Sequence, residues 1–154
     1  MKQLIPLLTI ATFLANACTP SPKPIDYGSD MCHFCKMTIV DQQHAAEVVT
    51  DKGKVYMFDA IECMANYIEK ERTTNFAFLL VNDFDTPKSL IDATTSYYLI
   101  SPNLPSPMGA FLTAFEHKNS AINMQKIKSG ELFNWDDLQN HLKKQGVVHF
   151  SEYE

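Results

Sequence analysis

The chain has 154 residues, of which 45% are hydrophobic and 20% are charged. This composition is typical of a globular protein, and the length fits one domain or two small lobes that share a core. The formal net charge is −5 and the pI is near 5.5. These values argue against a nucleic-acid-binding protein, because nucleic-acid phosphates require basic patches on the protein surface.

The N-terminus has the pattern of an export signal. An apolar run over residues 4–14 follows the positive charge of Lys2, and it is too short to span a bilayer as a stable helix. We therefore expect residues 1–17 to be a signal peptide. The residues before Cys18 resemble a bacterial lipoprotein signal, in which this cysteine is lipidated, while cleavage without lipidation stays open. Residues 18–30 are rich in proline and predict a semi-rigid linker between the lipid and the domain.

Residues 31–37 concentrate soft metal ligands, namely two thiols, an imidazole and two thioethers, in the order Met31-Cys32-His33-Phe34-Cys35-Lys36-Met37. Such donors favour Cu(I) over ions that prefer oxygen. Cys32 and Cys35 are three residues apart, a spacing that occurs both in metal sites and in redox pairs. Met37 favours the metal site, because in an extended segment it projects to the same side as Cys35 and a thioether has no role in disulfide exchange. A structural role of Met31 and Met37 in the core stays open.

The next segment predicts a strand–strand–helix–strand unit. The expected strands are at 38–40, 44–50, 54–58 and 76–81, the second and third joined as a hairpin and the last one central and buried on both faces. Asp59 and Glu62 have the spacing of a capping box, which predicts a helix that continues to about Arg72.

The second half of the chain predicts the same order of elements. The expected elements are strands at 96–100, 109–115 and 131–133, a helix at 118–128, a last helix capped by Asn134 with Asp137, and an edge strand at 147–150. Prolines and polar residues predict loops at 83–92 and 101–107. The fold class is therefore α+β, with two similar ββαβ units, at about 31–90 and 91–150, packed as one compact domain over residues 31–150.

Two further sulfur-containing residues are candidates for the site. Met108 stands between Pro107 and Gly109, which restrict the backbone and let it approach closely, so it is either a well-placed ligand or a core residue. Cys63 falls one position off the apolar face of the first helix, which favours a small buried hydrophobic side chain. If Cys18 is lipidated, three cysteines remain, and any disulfide among them leaves one thiol free.

The other polar candidates have simpler explanations. Asp59 is expected to cap the helix rather than to bind a metal. Four histidines have no second donor close in sequence and are expected at the surface; they are His44, His117, His141 and His149. His33 lies between the two thiols, where it either binds the metal or is merely exposed.

Three motifs together resemble the NosL family of copper-binding lipoproteins, which assist the maturation of nitrous oxide reductase. They are Cys32-x-x-Cys35-x-Met37-x-Ile39 after Cys18, Tyr56-x-Phe58-Asp59 leading into a helix with Cys63, and Pro107-Met108-Gly109 with Ala114-Phe115. The resemblance covers about residues 18–140 and implies a fold of two similar ββαβ units. It also implies that Cys35 and Met37 are the leading Cu(I) ligands and that Met108 closes the site. Lys36 departs from the family pattern, which usually has glycine at this position.

These features predict an exported, lipid-anchored protein on the periplasmic side of a membrane that binds Cu(I) and delivers it to a copper enzyme, with nitrous oxide reductase implied by the resemblance. The expected metal ligands are Cys35, Met37, Cys32, Met108 and His33, and the lipidated residue is Cys18. No nucleophile–base pair, phosphate loop or dinucleotide motif indicates an enzyme. Two alternatives stay open: a thiol–disulfide oxidoreductase that uses Cys32 and Cys35, and a structural zinc site formed by Cys32, Cys35, Cys63 and a histidine.

Overall fold

The structure, a computed structural model, describes residues 19–145. Its helices and strands in chain order are β1 (Ala46–Thr50), β2 (Val55–Phe58), α1 (Ile61–Lys70), β3 (Phe76–Asn82), β4 (Leu90–Asp92), β5 (Tyr97–Ile100), β6 (Leu112–Phe115), α2 (Lys118–Lys128), β7 (Glu131–Phe133) and α3 (Trp135–Lys144). Within residues 19–145, no helix has the length and apolar character needed to cross a membrane. The signal peptide, Cys18, the edge strand at 147–150 and His149 lie outside the described residues.

The strands form two antiparallel sheets with the same internal order. The first sheet has the order β2-β1-β3-β4 and the second has the order β6-β5-β7. In both sheets the first strand of the unit lies in the centre, between the second strand and the strand that follows the helix. This shared topology confirms the two ββαβ units and the α+β class. Outside the two units lie the predicted last helix, α3, and strand β4, which was not predicted.

The first hairpin shows how the sequence specifies the sheet. β1 is fully buried and pairs with β2 so that Val48 faces Tyr56, and with β3 so that Val48 also faces Leu79. The two strands are connected through Gly53, whose φ of 77° lies in the left-handed region that favours glycine. A buried central strand between two antiparallel neighbours satisfies its backbone groups on both edges.

One hydrophobic core joins the two units. It contains Phe58, Ile61 and Met64 from the first unit together with Tyr98 and Leu112 from the second. Helix α1 packs against β1 and β2 of its own unit and against β6 of the other. Burial of each large apolar side chain contributes about 1.5–3 kcal/mol, so both units depend on this common core for stability.

Helix α1 begins later than the capping pattern predicts. Its N-cap residue is Ala60, which makes no side-chain capping bond, and Asp59 precedes the helix. Glu62 points instead toward Ser106 of the second unit. The capping box is therefore wrong for α1, because a tertiary hydrogen bond replaces the local one. The cap of α3 is confirmed, since the Asn134 side chain accepts a hydrogen bond from the Asp137 N–H at 2.9 Å.

Three strand predictions also differ from the structure. The segment 38–40 forms no strand, only a single bridge between Met31 and Thr38. The predicted loop 83–92 contains β4, which pairs with β3. The expected burial of residues 76–81 on both faces is wrong for the start of β3, where Ala77 and Phe78 are exposed.

The segment assigned to the linker contributes to the fold from Lys23 onward. The Lys23 N–H donates to Glu47 Oε1 at 2.9 Å, and Ile25 is buried in the core. The Tyr27 hydroxyl donates to Asn82 Oδ1 at 2.9 Å. The folded part thus begins near residue 23, earlier than the expected boundary at residue 31.

Candidate metal centre

The cysteine-rich segment forms a short turn in front of β1. The Cys32 N–H donates to the Met37 carbonyl at 2.8 Å, and the Lys36 N–H donates to the Cys32 carbonyl at 3.0 Å. Lys36 has a φ of 65°, in the left-handed region. The His33 N–H donates to the Met57 carbonyl at 2.8 Å, which fixes the turn to β2.

The turn brings two thiols to a third thiol on α1. The Sγ atoms of Cys32, Cys35 and Cys63 lie within 4.8 Å of one another, and all three cysteines are free. Cys32 and Cys63 are fully buried, whereas Cys35 is half-buried. Metal–sulfur bonds of about 2.3 Å place two sulfur ligands of one ion up to about 4.6 Å apart. Small side-chain movements are therefore sufficient for all three sulfurs to bind a single ion.

The cluster stabilises one thiolate. Hydrogen bonding from the Cys63 thiol lowers the pKa of Cys32 to about 5, and backbone hydrogen bonds from Asp59 and Cys35 act in the same direction. The same hydrogen bond raises the pKa of Cys63, and burial raises the pKa of Cys35. At neutral pH the metal-free cluster thus carries one negative charge on Cys32, which suits it to a cation that prefers soft ligands.

A cavity of about 900 Å³ opens beside the cluster. Its lining includes four of the predicted site residues, which are His33, Cys35, Met37 and Met108. Met37 is 52% exposed at the surface, and Met108 is partly buried. The fifth predicted residue, Cys32, is buried and joins them through the thiol cluster.

His33 is placed by aromatic neighbours. Its ring centroid lies 4.4 Å from that of Tyr56 and 5.3 Å from that of Tyr67. Burial lowers the pKa of His33, and the positive charges of Lys36 and Lys54 lower it further. The imidazole is therefore neutral at pH 7, the form in which it can donate a lone pair to a metal.

A buried carboxylate fixes the loop that carries Met108. Glu62 Oε1 accepts a hydrogen bond from the Ser106 hydroxyl at 2.6 Å and from the Ala110 N–H at 3.3 Å. Glu62 Oε2 is buried with no partner among the described residues, and burial raises the pKa of this carboxyl. Because Glu62 is next to Cys63, it connects the thiol cluster directly to the Met108 loop.

Comparison with known proteins identifies the family. The profile of the family described as NosL matches residues 24–143, which is most of the chain. The chain belongs to the NosL family. It is 27% identical over 129 residues to a copper-binding lipoprotein NosL of Stutzerimonas stutzeri, covering 79% of this chain and 68% of the relative. It also resembles the crystal structure of the copper chaperone NosL from Shewanella denitrificans, with a TM-score of 0.66 and 20% identity over 76% of this chain and 94% of that one.

The prediction that this protein is not an enzyme agrees with the names of these two relatives. The first is named as a copper-binding lipoprotein and the second as a copper chaperone, and neither name denotes a catalyst. The solved NosL structure also supports the architecture of two sheets and three helices described above.

For Cys63, the sequence predicted burial but not a place in this NosL site. We expected a small buried hydrophobic side chain, and Cys63 is fully buried, but its Sγ also lies with those of Cys32 and Cys35. The first two turns of α1 are buried on every side, from Ile61 to Tyr67, so a position off the apolar face is still interior. Only the zinc alternative, which counted the three thiols together, contained the correct grouping.

His44 is the second correction. It was expected at the surface, but it is 4% exposed. Its Nδ1 lies 3.0 Å from Asp41 Oδ1 and its Nε2 lies 3.2 Å from the Thr113 hydroxyl. His44 therefore joins the segment before β1 to β6 of the second unit. His117 is exposed, as predicted, whereas His141 is half-buried with its ring 4.6 Å from that of Phe133.

Proposed function

We propose that this protein binds Cu(I) through Cys32, Cys35 and Cys63 and delivers it to a copper enzyme. The observation that carries this proposal is the convergence of three free thiols within 4.8 Å, beside a cavity that also contains Met37 and Met108. Thiolates bind both Cu(I) and zinc, and the thioethers of Met37 and Met108 beside them favour Cu(I). The names of the two relatives, a copper-binding lipoprotein and a copper chaperone, agree with copper as the cargo.

The difference in exposure between the thiols supports release as well as binding. Cys32 and Cys63 are fully buried, but Cys35 lines the open cavity. An incoming sulfur or nitrogen ligand has access to the ion from the Cys35 side, so transfer proceeds by ligand exchange. Met37, Met108 and His33 line the same cavity and supply weaker ligands for the ion during this exchange.

We propose an exported protein that is attached to the periplasmic side of a membrane by a lipid on Cys18. The relative named as a lipoprotein and the proline-rich sequence after Cys18 support this location. We propose nitrous oxide reductase as the recipient. The sequence motifs resemble a family that assists the maturation of this enzyme, and the profile of that family matches residues 24–143. Substitution of Cys18→Ala should move the protein from the membrane fraction to the aqueous fraction of the producing cells, whereas unchanged fractionation would exclude a lipid at this residue.

The test of the proposal is an anaerobic Cu(I) titration of the reduced full chain against a chromophoric chelator. The chain should bind one Cu(I), and Cys63→Ser should weaken binding at least about tenfold, because one anionic ligand is lost. His117→Ala is the control, since His117 is an exposed residue at the N-cap of α2, outside the thiol cluster. Failure of the reduced wild-type chain to compete for Cu(I) would disprove the proposal.

The oxidoreductase alternative is disfavoured by the position of the two cysteines. A Cys-x-x-Cys oxidoreductase needs its low-pKa thiolate to be accessible to a substrate disulfide, but here that thiolate is Cys32, which is fully buried. Here Cys32 and Cys35 lie in a turn that leads toward β1. An insulin reduction assay separates the two functions, because a copper carrier shows no turnover.

A further inference from the structure

The cavity beside the thiols has a positive rim on an acidic protein. Lys36 and Lys70 line the cavity, together with one acidic residue, Glu71. Lys54 does not line the cavity, but it lies over the Tyr56 ring, which packs against His33. The whole chain carries a formal charge of −5. The charge at this site is therefore positive, opposite in sign to the net charge of the chain.

The three lysines are fixed near the site by specific contacts. Lys70 Nζ lies 4.8 Å from the centroid of the Phe34 ring. Lys54 Nζ lies 4.8 Å from the centroid of the Tyr56 ring, against which His33 packs. The Lys36 ammonium group donates to the His33 carbonyl. These contacts hold the positive charges beside His33 and Phe34, which belong to the turn that also carries two of the thiols.

The cavity is much larger than a metal ion requires. Its volume of about 900 Å³ is in the range of about 300–1,000 Å³ that accommodates an organic ligand or a short peptide segment. Cu(I) transfer by ligand exchange requires donor atoms of the recipient to reach the ion before the thiols release it. A recipient segment that enters the cavity meets this requirement.

We propose that the cavity and the three lysines beside it, Lys36, Lys54 and Lys70, bind an acidic segment of the copper-accepting protein. This segment carries sulfur or imidazole donors to the ion. This inference rests on the proposed function and specifies the partner's chemistry. Complementary charge accelerates encounter and orients the partner. Anionic phospholipid would also match the lysines, but its headgroup oxygens are hard donors that do not accept Cu(I).

The test measures Cu(I) transfer from the loaded full chain to two synthetic peptides under anaerobic, reducing conditions. Both peptides contain the same two-cysteine core, flanked by glutamates in one and by lysines in the other. The charge-reversed variant is Lys54→Glu with Lys70→Glu, which leaves the metal-binding turn unchanged. The matched control is Lys118→Glu with Lys126→Glu, which makes the same change of net charge on exposed positions of α2.

At low ionic strength, the wild-type chain should transfer Cu(I) to the glutamate peptide about tenfold faster than to the lysine peptide, and high salt should remove the difference. The charge-reversed variant should lose or invert this preference with its Cu(I) affinity unchanged. The α2 control should keep the wild-type preference.

Equal transfer rates from the wild-type chain to the two peptides would overturn the docking surface. A loss of preference in the α2 control as large as in the charge-reversed variant would also overturn it. In both cases a normal Cu(I) affinity would leave the proposed function intact. An absence of Cu(I) binding by the wild-type chain would overturn both. If the charge-reversed variant loses binding to anionic phospholipid vesicles but transfers Cu(I) to the glutamate peptide at the wild-type rate, the surface is a membrane contact and the proposal is wrong.

Discussion

Lys36 adopts a left-handed backbone conformation in the turn between Cys35 and Met37, with a φ of 65°. A residue with a Cβ pays about 1–2 kcal/mol in this region, whereas glycine adopts it without steric conflict. This requirement gives a physical reason for the glycine that the NosL family usually has at this position. The lysine keeps the turn geometry at a cost in stability and adds a positive charge at the cavity.

We expect Lys36→Gly to raise the free energy of unfolding by up to about 1 kcal/mol, because relief of strain exceeds the added flexibility of the unfolded chain. Lys36→Val should lower it by a similar amount or more, since a β-branched side chain tolerates positive φ poorly. Urea denaturation of the reduced metal-free protein measures both effects. Equal stabilities of the glycine and valine variants would show that the backbone at Lys36 is not strained.

The Cys32 thiolate makes the stability of the metal-free protein depend on pH. Its folded pKa of about 5 lies below that of an unfolded cysteine, about 8.5. The unfolded chain therefore binds more protons between these values, and the stabilisation is lost as the pH falls toward 5. Asp59 has the opposite sign, because burial raises its pKa to about 6 and its contribution is lost as the pH rises to that value.

Above pH 6, the Cys32 term should therefore raise the free energy of unfolding by on the order of 1 kcal/mol per pH unit up to pH 8. Urea denaturation at pH 6, 7 and 8 measures this slope, and the ultraviolet absorbance of thiolate reports the ionisation near pH 5. Cys32→Ser should flatten the stability profile and remove the ionisation step. A wild-type profile that is flat over this range would contradict the assigned thiolate.

At the scale of residues, spacing predicted part of the site and missed the rest. Cys32 and Cys35 are close in sequence, so a single turn was sufficient to place both thiols together. Met108, on a loop of the second unit, was expected at the site from the resemblance to the family, and it lines the cavity. No local pattern reports that helix packing brings Cys63 to the other two thiols. His44 was misplaced for the same reason, because its partner Thr113 is remote in sequence.

At the scale of elements, the contact between α1 and the Met108 loop links the two halves of the site. Glu62 immediately precedes Cys63 on α1. Its Oε1 atom accepts hydrogen bonds from the Ser106 hydroxyl and from the Ala110 N–H. The loop between β5 and β6 is thereby held against the first unit. The position of Met108 thus depends on a hydrogen bond made by the helix that also carries Cys63.

Ser106→Ala should lower the free energy of unfolding by about 1–3 kcal/mol, because it removes one partner of a buried carboxylate that already has one unpaired oxygen. Ser29→Ala is the control, since Ser29 is exposed. Chemical denaturation gives the difference between the two variants. Equal stabilities would mean that the Glu62–Ser106 hydrogen bond contributes nothing to the fold.

Hydrophobic periodicity predicted the helices and most strands, because burial of one face is a local requirement of an element. Helix α2 and strand β7 have the predicted bounds. The start of α1 was wrong, because Glu62 forms a tertiary bond where a local cap was expected. Strand β4 was missed, since its three residues follow a polar loop and gain their order from pairing with β3.

At the scale of the whole molecule, the duplication assembles the site from both units. The three thiols come from the first unit, and Met108 comes from the second. The buried core extends through both units, well beyond the thiol cluster. The core, rather than a bound metal, should therefore maintain the fold.

Removal of metal with a chelator should leave the far-ultraviolet circular dichroism of the reduced protein unchanged, and a cooperative thermal transition should remain. Saturation with Cu(I) should then raise the melting temperature, because a ligand bound only to the folded state adds about 2.7 kcal/mol at one hundred times its Kd. Unfolding on removal of metal would instead favour the structural zinc site.

Binding of one Cu(I) ion by Cys32, Cys35 and Cys63 together can be measured by X-ray absorption spectroscopy at the copper edge of the loaded full chain. We predict monovalent copper with only sulfur atoms in its first coordination shell, and the loss of one of these sulfurs in Cys63→Ser. A shell made mainly of oxygen or nitrogen, or a sulfur shell that Cys63→Ser leaves unchanged, would contradict joint binding by the three thiols.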